Sequence, residues 1–323
     1  MVETDEKEGI DMKKVVVTGA NGFVGKHLIK ELLDNGYKVV AIGGSQVAAL
    51  EATEGVQYMT LDLTQPDEAA KIDFSGVSGV VHLAGLAAVG PSFDKPMEYI
   101  DVNIGIEVNL FEAALSQKAA PRFLIISSAT LYDPSAPQPL TESSPLLPNS
   151  PYAVSKIGQE QMARYYATRG FEAVIARPFN HIGPGQGPGF IVPDLAQQIV
   201  AADKATSPTI SVGNLDAKRD YTDVRDIVRA YRLLIEKGRS GEVYNICSGK
   251  PLSGHEIFDG LCAAADVEPE VKQDPAKMRP SDTPLISGNY DKLAKDTDWH
   301  PEILLKTTLA DVITDWQLRK IAG

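Results

Sequence analysis

Apolar residues recur along this chain in two alternating rhythms. Val15-Val16-Val17 is a short β-branched run, followed by Leu28, Ile29, Leu32 and Leu33, whose spacing puts them on one face of a helix. Gly36 closes that helix, and residues 37–42 read as a second strand. The pattern continues with a strand at 77–83, an amphipathic helix at 99–115, a strand at 123–127, a helix at 152–166 and a strand at 173–176. Strand and helix in regular alternation predict an α/β fold built on a doubly wound parallel sheet.

After Pro178 the texture changes. Gly183, Pro184, Gly185, Gly187, Pro188 and Gly189 make a loop-rich stretch, and a second one, rich in proline and charge, spans 268–284. Residues 224–236 and 243–246 read as a helix and strand returning to the sheet. The expected division is therefore a dinucleotide-binding domain at 13–180 and 223–248, with a smaller, discontinuous substrate lobe at 181–222 and 249–323. Residues 1–12, an acidic start, are expected to be a disordered tail.

Composition narrows the function classes. The 323 residues are 43% hydrophobic and 23% charged, which suits a soluble globular chain with a large core. A net charge of -12 argues against nucleic-acid and anionic-membrane partners. Cys247 and Cys262 are the only cysteines, with no metal-ligand spacing around them, so no metal and no disulfide framework is expected, and a cytoplasmic location is. No apolar run approaches a membrane span.

Candidate chemistry begins at the first strand-to-helix turn. Gly19, Asn21, Gly22, Phe23, Val24 and Gly25 form a glycine-rich bend that permits close backbone approach to a pyrophosphate and aims a helix N-terminus at it. Further on, SPYAVSK at 150–156 places Tyr152 and Lys156 four apart on one helical face, with Pro151 in the first turn. A cation beside a phenol favours the phenolate, so Lys156 is expected to lower the Tyr152 pKa, although a packed ring and a solvated lysine would share the same spacing. Ser128, at the carboxyl end of the strand at 123–127, could hydrogen-bond a substrate carbonyl, or simply satisfy backbone groups.

Taken together, the three glycines, Ser128 and Tyr152-x-x-x-Lys156 resemble the extended short-chain dehydrogenase/reductase family, which has a Rossmann fold. The resemblance covers nearly the whole chain, including Asp62-Leu63, HLAG at 82–85 and Asn103. It implies Ser128, Tyr152 and Lys156 as catalytic residues. It also implies Asp62 and Leu63 around an adenine, Leu83, Ala84 and Gly85 along the cofactor cleft, and Asn103 in support of the proton relay. An ordinary strand-end cap explains Asp62 equally well.

A narrower resemblance lies in RPFNHIGPGQG (177–187), VGNLDAKRDYTDVRD (212–226), VYNICSG (243–249) and KMRPSD (277–282). These segments are similar to the branch of that family that reduces GDP-4-keto-6-deoxy-hexoses, to GDP-D-rhamnose or its C4 epimer. The similarity implies a GDP-sugar substrate, with the diphosphate held by Asn180, Arg219 and Arg279 in the smaller lobe. Guanidinium groups suit phosphate oxygens, and surface ion pairs are the alternative. Ser92 and Thr130 are candidate sugar-hydroxyl ligands, or loop caps. The acid that dehydratases carry is Thr130 here, which favours plain reduction.

Two departures stand out. The second strand ends in Gly43-Gly44-Ser45-Gln46, without the acid that binds a ribose 2'-hydroxyl, so the reading leans to NADPH over NADH, with Ser45 and backbone amides receiving a 2'-phosphate. LYDP at 131–134 stands where the family usually has Tyr-Gly. An NAD-retaining nucleotide-sugar 4-epimerase is the alternative activity. The resemblance also implies a homodimer through a four-helix bundle of the helices at 99–115 and 152–166, whose apolar positions could equally be intramolecular core.

Overall fold

The computed structural model describes residues 13–44, 53–202, 209–275 and 283–322. The expected tail at 1–12 lies outside them. Strands β1 (Lys14–Thr18), β2 (Lys38–Gly43) and β3 (Val56–Thr60) come first, with α1 (Phe23–Asp34) between β1 and β2. Next come α2 (Pro66–Ala69), β4 (Val77–His82), α3 (Val89–Ser92) and α4 (Pro96–Ser116). They lead to β5 (Arg122–Ile126), α5 (Pro151–Ala167) and β6 (Ala173–Pro178). The chain leaves the sheet through β7 (Asn180–Ile182), α6 (Ile191–Ala201), β8 (Thr209–Val212) and β9 (Lys218–Asp223). It returns with α7 (Val224–Lys237) and β10 (Val243–Ile246). The remainder is β11 (Pro251–Ser253), α8 (Gly254–Ala265), β12 (Glu270–Gln273), β13 (Leu285–Ile286), α9 (Asp291–Thr297) and α10 (Leu305–Ala322).

Seven strands form one parallel sheet in the order β10-β6-β5-β4-β1-β2-β3. Residue period two divides their side chains between its faces. Val15 and Val17 of β1 join Leu28 and Leu32 of α1 and Ile227, Tyr231 and Leu234 of α7. Val16 points to the other face, with Ile106, Leu110 and Phe111 of α4 and Ala163 and Tyr166 of α5. Covering helices on both faces are why the strands read as continuous apolar runs. Edge strand β3 is half-buried or exposed throughout, and its VQYMT sequence carries no such run.

The order in which strands are laid down reverses between β1 and β4, which run parallel with Thr18 paired to His82. The carboxyl ends of these two strands thus open side by side at a topological switch point, where ligands bind in folds of this kind. Outside the sheet, Leu195, Ile210, Ile257, Phe258, Leu261, Leu309 and Val312 build a separate core from α6, β8, α8 and α10.

An aromatic cluster clamps α4 to the sheet: the Phe111 ring lies 4.0 Å from Phe123 and 4.3 Å from Tyr166, with Phe171 at 5.2 Å. Phe111→Ala is expected to cost about 3–5 kcal/mol in urea denaturation; a loss below ~1 kcal/mol would show that the cluster can collapse around the deletion.

Candidate active site

At the switch point the chain leaves β1 through Gly19, whose φ of +66° favours glycine. A Cβ there would lie 2.9 Å from the Ala84 amide nitrogen, and one on Gly25 would lie 2.4 Å from the Gly19 carbonyl oxygen. Both glycines therefore let α1 and the exit of β4 close upon the turn. Thr18 Oγ1 ties the two strand ends together, accepting from Leu83 N (3.1 Å) and Ala84 N (3.0 Å). α1 begins after Gly22 with no side-chain cap and no acid in its first turn, so its N-terminal amides suit an anion. The donor set and the glycine cradle fit a dinucleotide pyrophosphate.

Other cofactor candidates fall unevenly around this turn. Phe23 stacks on His181 with centroids 6.2 Å apart, Val24 packs on the core, and Asn21 is half-buried. Leu83 and Ala84 are partly buried against opposite cores, beside the turn. Gly85 leaves only 2.7 Å between a hypothetical Cβ and Asn103 Oδ1. Asp62 caps the turn after β3, accepting from Thr64 N (3.1 Å) and Thr64 Oγ1 (2.6 Å), which is the local-cap role. The Leu63 side chain belongs to the buried core rather than to an open cleft. Ser45 lies outside the described residues.

β5 ends at Ile126, which delivers Ser127 and Ser128 to the same sheet edge. α5 starts with Ser150 as N-cap, accepting from Ala153 N at 3.2 Å, and Pro151 in its first turn. These two junctions bring Ser128, Tyr152 and Lys156 together. Ser128 Oγ accepts from Thr130 N (3.2 Å) and Thr130 Oγ1 (2.9 Å), which leaves its own proton for another acceptor. Lys156 Nζ lies 5.9 Å from the Tyr152 ring centre and donates to the Ile126 carbonyl and to Gln159 Oε1, each at 2.8 Å.

The electrostatics differ from the expectation of a lowered phenol. Burial pushes Tyr152 up to about 12, and only the Ser128 hydrogen bond opposes it. Burial also pulls Lys156 down to about 8, against the pull of Glu107 and Glu160. Lys156 Nζ is directed to Ile126 O and Gln159 Oε1 rather than to the phenol oxygen.

Asn103 is fully buried and acts as a clamp. Its amide accepts from Leu86 N (2.7 Å) and donates to Leu86 O (3.1 Å) and Ser155 Oγ (2.9 Å), joining the exit of β4 to α5. Beside it lies a salt bridge that sequence reading did not single out. Arg177 reaches both carboxyl oxygens of Glu160 at 2.7 Å, Ser127 donates to the same carboxylate at 2.6 Å, and the guanidinium covers the Tyr132 ring at 4.9 Å. Tyr132, the departure at 131–134, donates in turn to Asn245 Oδ1 at 2.6 Å, tying this loop to β10. The available signal was helical spacing: Glu160 follows Lys156 by four.

The substrate candidates separate. Thr130 is exposed beside Ser128, and Asn180 is exposed at the start of β7. Ser92 is buried, its hydroxyl donated to Val89 O at 2.6 Å, so the structure does not offer it to a sugar. Arg219, half-buried on β9, donates to the Lys218 and Thr283 carbonyls. Arg279 lies outside the described residues. Among the described residues no cluster of His, Cys, Asp or Glu could hold a metal, and no helix is long and apolar enough to cross a membrane.

A parallel sheet with a glycine cradle at its switch point and a Ser, Tyr and Lys set at the adjoining edge defines a nicotinamide-dependent enzyme, and the chain belongs to the NAD dependent epimerase/dehydratase family, whose model matches residues 15–247. The chain is 35% identical over 311 residues to GDP-6-deoxy-D-mannose reductase of Pseudomonas aeruginosa, covering 95% of this chain and 98% of that one. It is 34% identical over 288 residues to GDP-6-deoxy-D-talose 4-dehydrogenase of Aggregatibacter actinomycetemcomitans, covering 87% and 90%. Among solved structures, RMD from Pseudomonas aeruginosa complexed with NADPH superposes with a TM-score of 0.83 at 33% identity, over 95% of this chain and all of that one.

Gly25→Ala forces a Cβ against backbone atoms of the turn. Titration calorimetry with NADPH is expected to show at least about tenfold weaker binding, a loss of about 1.4 kcal/mol; unchanged affinity would mean the cofactor does not use this turn.

Proposed function

We propose that the chain is an NAD(P)H-dependent reductase that converts the C4 ketone of a GDP-4-keto-6-deoxy-hexose to an alcohol, giving GDP-D-rhamnose or its C4 epimer. The observation that carries this reading is the Tyr152 phenol, held protonated beside Ser128 at the sheet edge next to the dinucleotide cradle. Whole-length similarity to two enzymes whose names specify GDP-6-deoxy-hexoses supports the substrate class.

The nicotinamide, when bound, supplies the hydride. Tyr152 gives its proton to the oxygen of the forming alkoxide, and Ser128 donates a hydrogen bond to the same oxygen with the proton that Thr130 leaves free. Both contacts strengthen as negative charge develops, which is what lowers a barrier. Lys156 offers an ammonium to Tyr152 and the ribose, and the Asn103 clamp fixes the spacing between the exit of β4 and α5. The cofactor reading favours NADPH, since β2 runs into Gly43-Gly44 without an acid that would repel a 2'-phosphate.

The lobe built on α6, α8 and α10 is the nucleotide-sugar side, and Asn180 and Arg219, together with Arg279 by its sequence motif, are the proposed diphosphate ligands. Thr130 is the sugar ligand retained from the sequence reading. Ser92 would reach a sugar only if α3 opened. Two unpaired buried cysteines suit a reducing cytoplasm. A homodimer packs α4 and α5 against their mates, using the outer face of α5, where Val154 and Tyr165 are 46% and 49% exposed. Light scattering at micromolar concentration should then give about twice the 34.8 kDa chain mass; the monomer mass would end the dimer reading.

Purified protein should consume NADPH or NADH with GDP-4-keto-6-deoxymannose, and product NMR should show a reduced C4. Tyr152→Phe should lower kcat by about 10²–10⁴ with little change in KM. Tightly retained NAD and turnover without added cofactor would instead select the epimerase.

A further inference from the structure

The Lys156 ammonium has three N–H groups to place, and the fold engages two of them. One goes to the Ile126 carbonyl at the end of β5 and one to Gln159 Oε1, a turn further along α5, each at 2.8 Å. A strand carbonyl cannot turn away. A glutamine amide can, because its oxygen and nitrogen are nearly equal in size and the reversed group fits the same space. Reversal would set N–H against N–H, and the ammonium would lose its second anchor.

The far side of that amide meets a histidine. Gln159 Nε2 lies 3.2 Å from His82 Nε2, at the end of β4, and His82 Nδ1 lies 3.0 Å from Thr18 Oγ1, at the end of β1. Thr18, His82 and Gln159 are all buried, so each group depends on its neighbours in the chain.

A neutral imidazole here has two forms. With its proton on Nδ1, Nε2 accepts from the Gln159 amide and the amide oxygen faces Lys156. With its proton on Nε2, the amide must turn its oxygen to the histidine and its N–H to the lysine. Thr18 Oγ1 suits either form, since a hydroxyl accepts from Nδ1–H or donates to a bare Nδ1. The ammonium therefore selects: it only donates, so it is compatible with the first form alone. A doubly protonated ring would also turn the amide over, and burial, which pulls the His82 imidazole down to about 3, prevents that.

We propose that Gln159 and His82 are positioning residues for the reaction: His82, with its proton on Nδ1, accepts from the Gln159 amide and so keeps the Gln159 oxygen on the Lys156 ammonium, whose third N–H is left for Tyr152 and the ribose. Without the imidazole the buried amide N–H has no acceptor, and the side chain is drawn off the lysine. A carboxylate at the same place has no N–H to satisfy and no wrong way round.

Two readouts test this, and only the second rests on the proposed reductase function. ¹⁵N NMR of histidine-labelled protein near neutral pH reads which ring nitrogen carries the proton, the His82 signal being the one that survives replacement of His27, His181, His255 and His300 in turn. Wild-type protein should show Nδ1–H, and Gln159→Glu, where only acceptors face the ring, should move the proton to Nε2. Nε2–H in the wild type, or a tautomer that Gln159→Glu leaves unmoved, overturns the proposal.

With NADPH and the ketosugar, Gln159→Leu should lower kcat about tenfold and Gln159→Glu should recover most of that loss. His82→Leu should cost about tenfold in the wild-type background and less than about twofold in the Gln159→Glu background. Equal losses in both backgrounds would mean that His82 is merely structural, and Gln159→Glu no more active than Gln159→Leu would mean that the acceptor is not what matters; either overturns the proposal. If His82→Leu does not fold, the tautomers and the two Gln159 variants decide. Wild-type protein inactive on the ketosugar would sink the reductase reading and leave the tautomers to decide this one.

Discussion

An ammonium group stays charged inside a protein only if its neighbours replace the water it has lost. Lys156 is 9% exposed, and the fold around it is arranged to meet that demand. The carbonyl of Ile126, at the end of β5, and the amide of Gln159, one turn further along α5, supply direct acceptors. Glu107 of α4 and Glu160 of α5 oppose the effect of burial on the lysine, Glu160 being itself paired with Arg177 of β6 and Glu107 being held by burial well above the usual carboxylate range. A lysine four residues after a tyrosine is thus tied to the end of β5 and to its own helix α5. Its position is fixed as firmly as the sheet itself, so Tyr152, on the same rigid helix, is fixed too.

Sheet order explains why the cofactor cradle lies beside this group. The switch in strand order between β1 and β4 puts the ends of two parallel strands in register, Thr18 against His82. Thr18 and His82 hydrogen-bond across that gap, and His82 continues to Gln159 and Lys156. One polar chain runs from the base of the glycine turn to the catalytic lysine. The turn at Gly19 and the α5 site are therefore parts of one structure, linked through side chains that lie inside the sheet-helix layer.

Long periodic segments were legible in the sequence because burial on both sheet faces writes itself as apolar runs. The glycine turn and the Tyr152 helix were legible because Gly19 and Pro151 answer local backbone demands. β3 was not, since an exposed edge strand needs no apolar run. At Asp62, Leu63 and Ser92 the sequence pattern gives the neighbourhood, and the structure adds the local partners. Asp62 found Thr64, and Ser92 found the Val89 carbonyl. Glu107 was overlooked because an acid in a helix reads as surface. Its spacing of four from buried Asn103 was the available signal that it lies on the inner face of α4.

Raising the Tyr152 pKa, rather than lowering it, changes how its chemistry should be understood. A reductase needs a proton donor that keeps its proton until an alkoxide forms, and an alkoxide is a far stronger base than a phenolate. Burial holds the phenol neutral beforehand, and a lysine that stays cationic stabilises the phenolate once the proton has moved. The stabilisation is then largest at the transition state and small in the resting enzyme. Burial supplies the first half by raising Tyr152; on Lys156 the same burial acts the other way, pulling its pKa down to about 8, and the acids Glu107 and Glu160 oppose that pull.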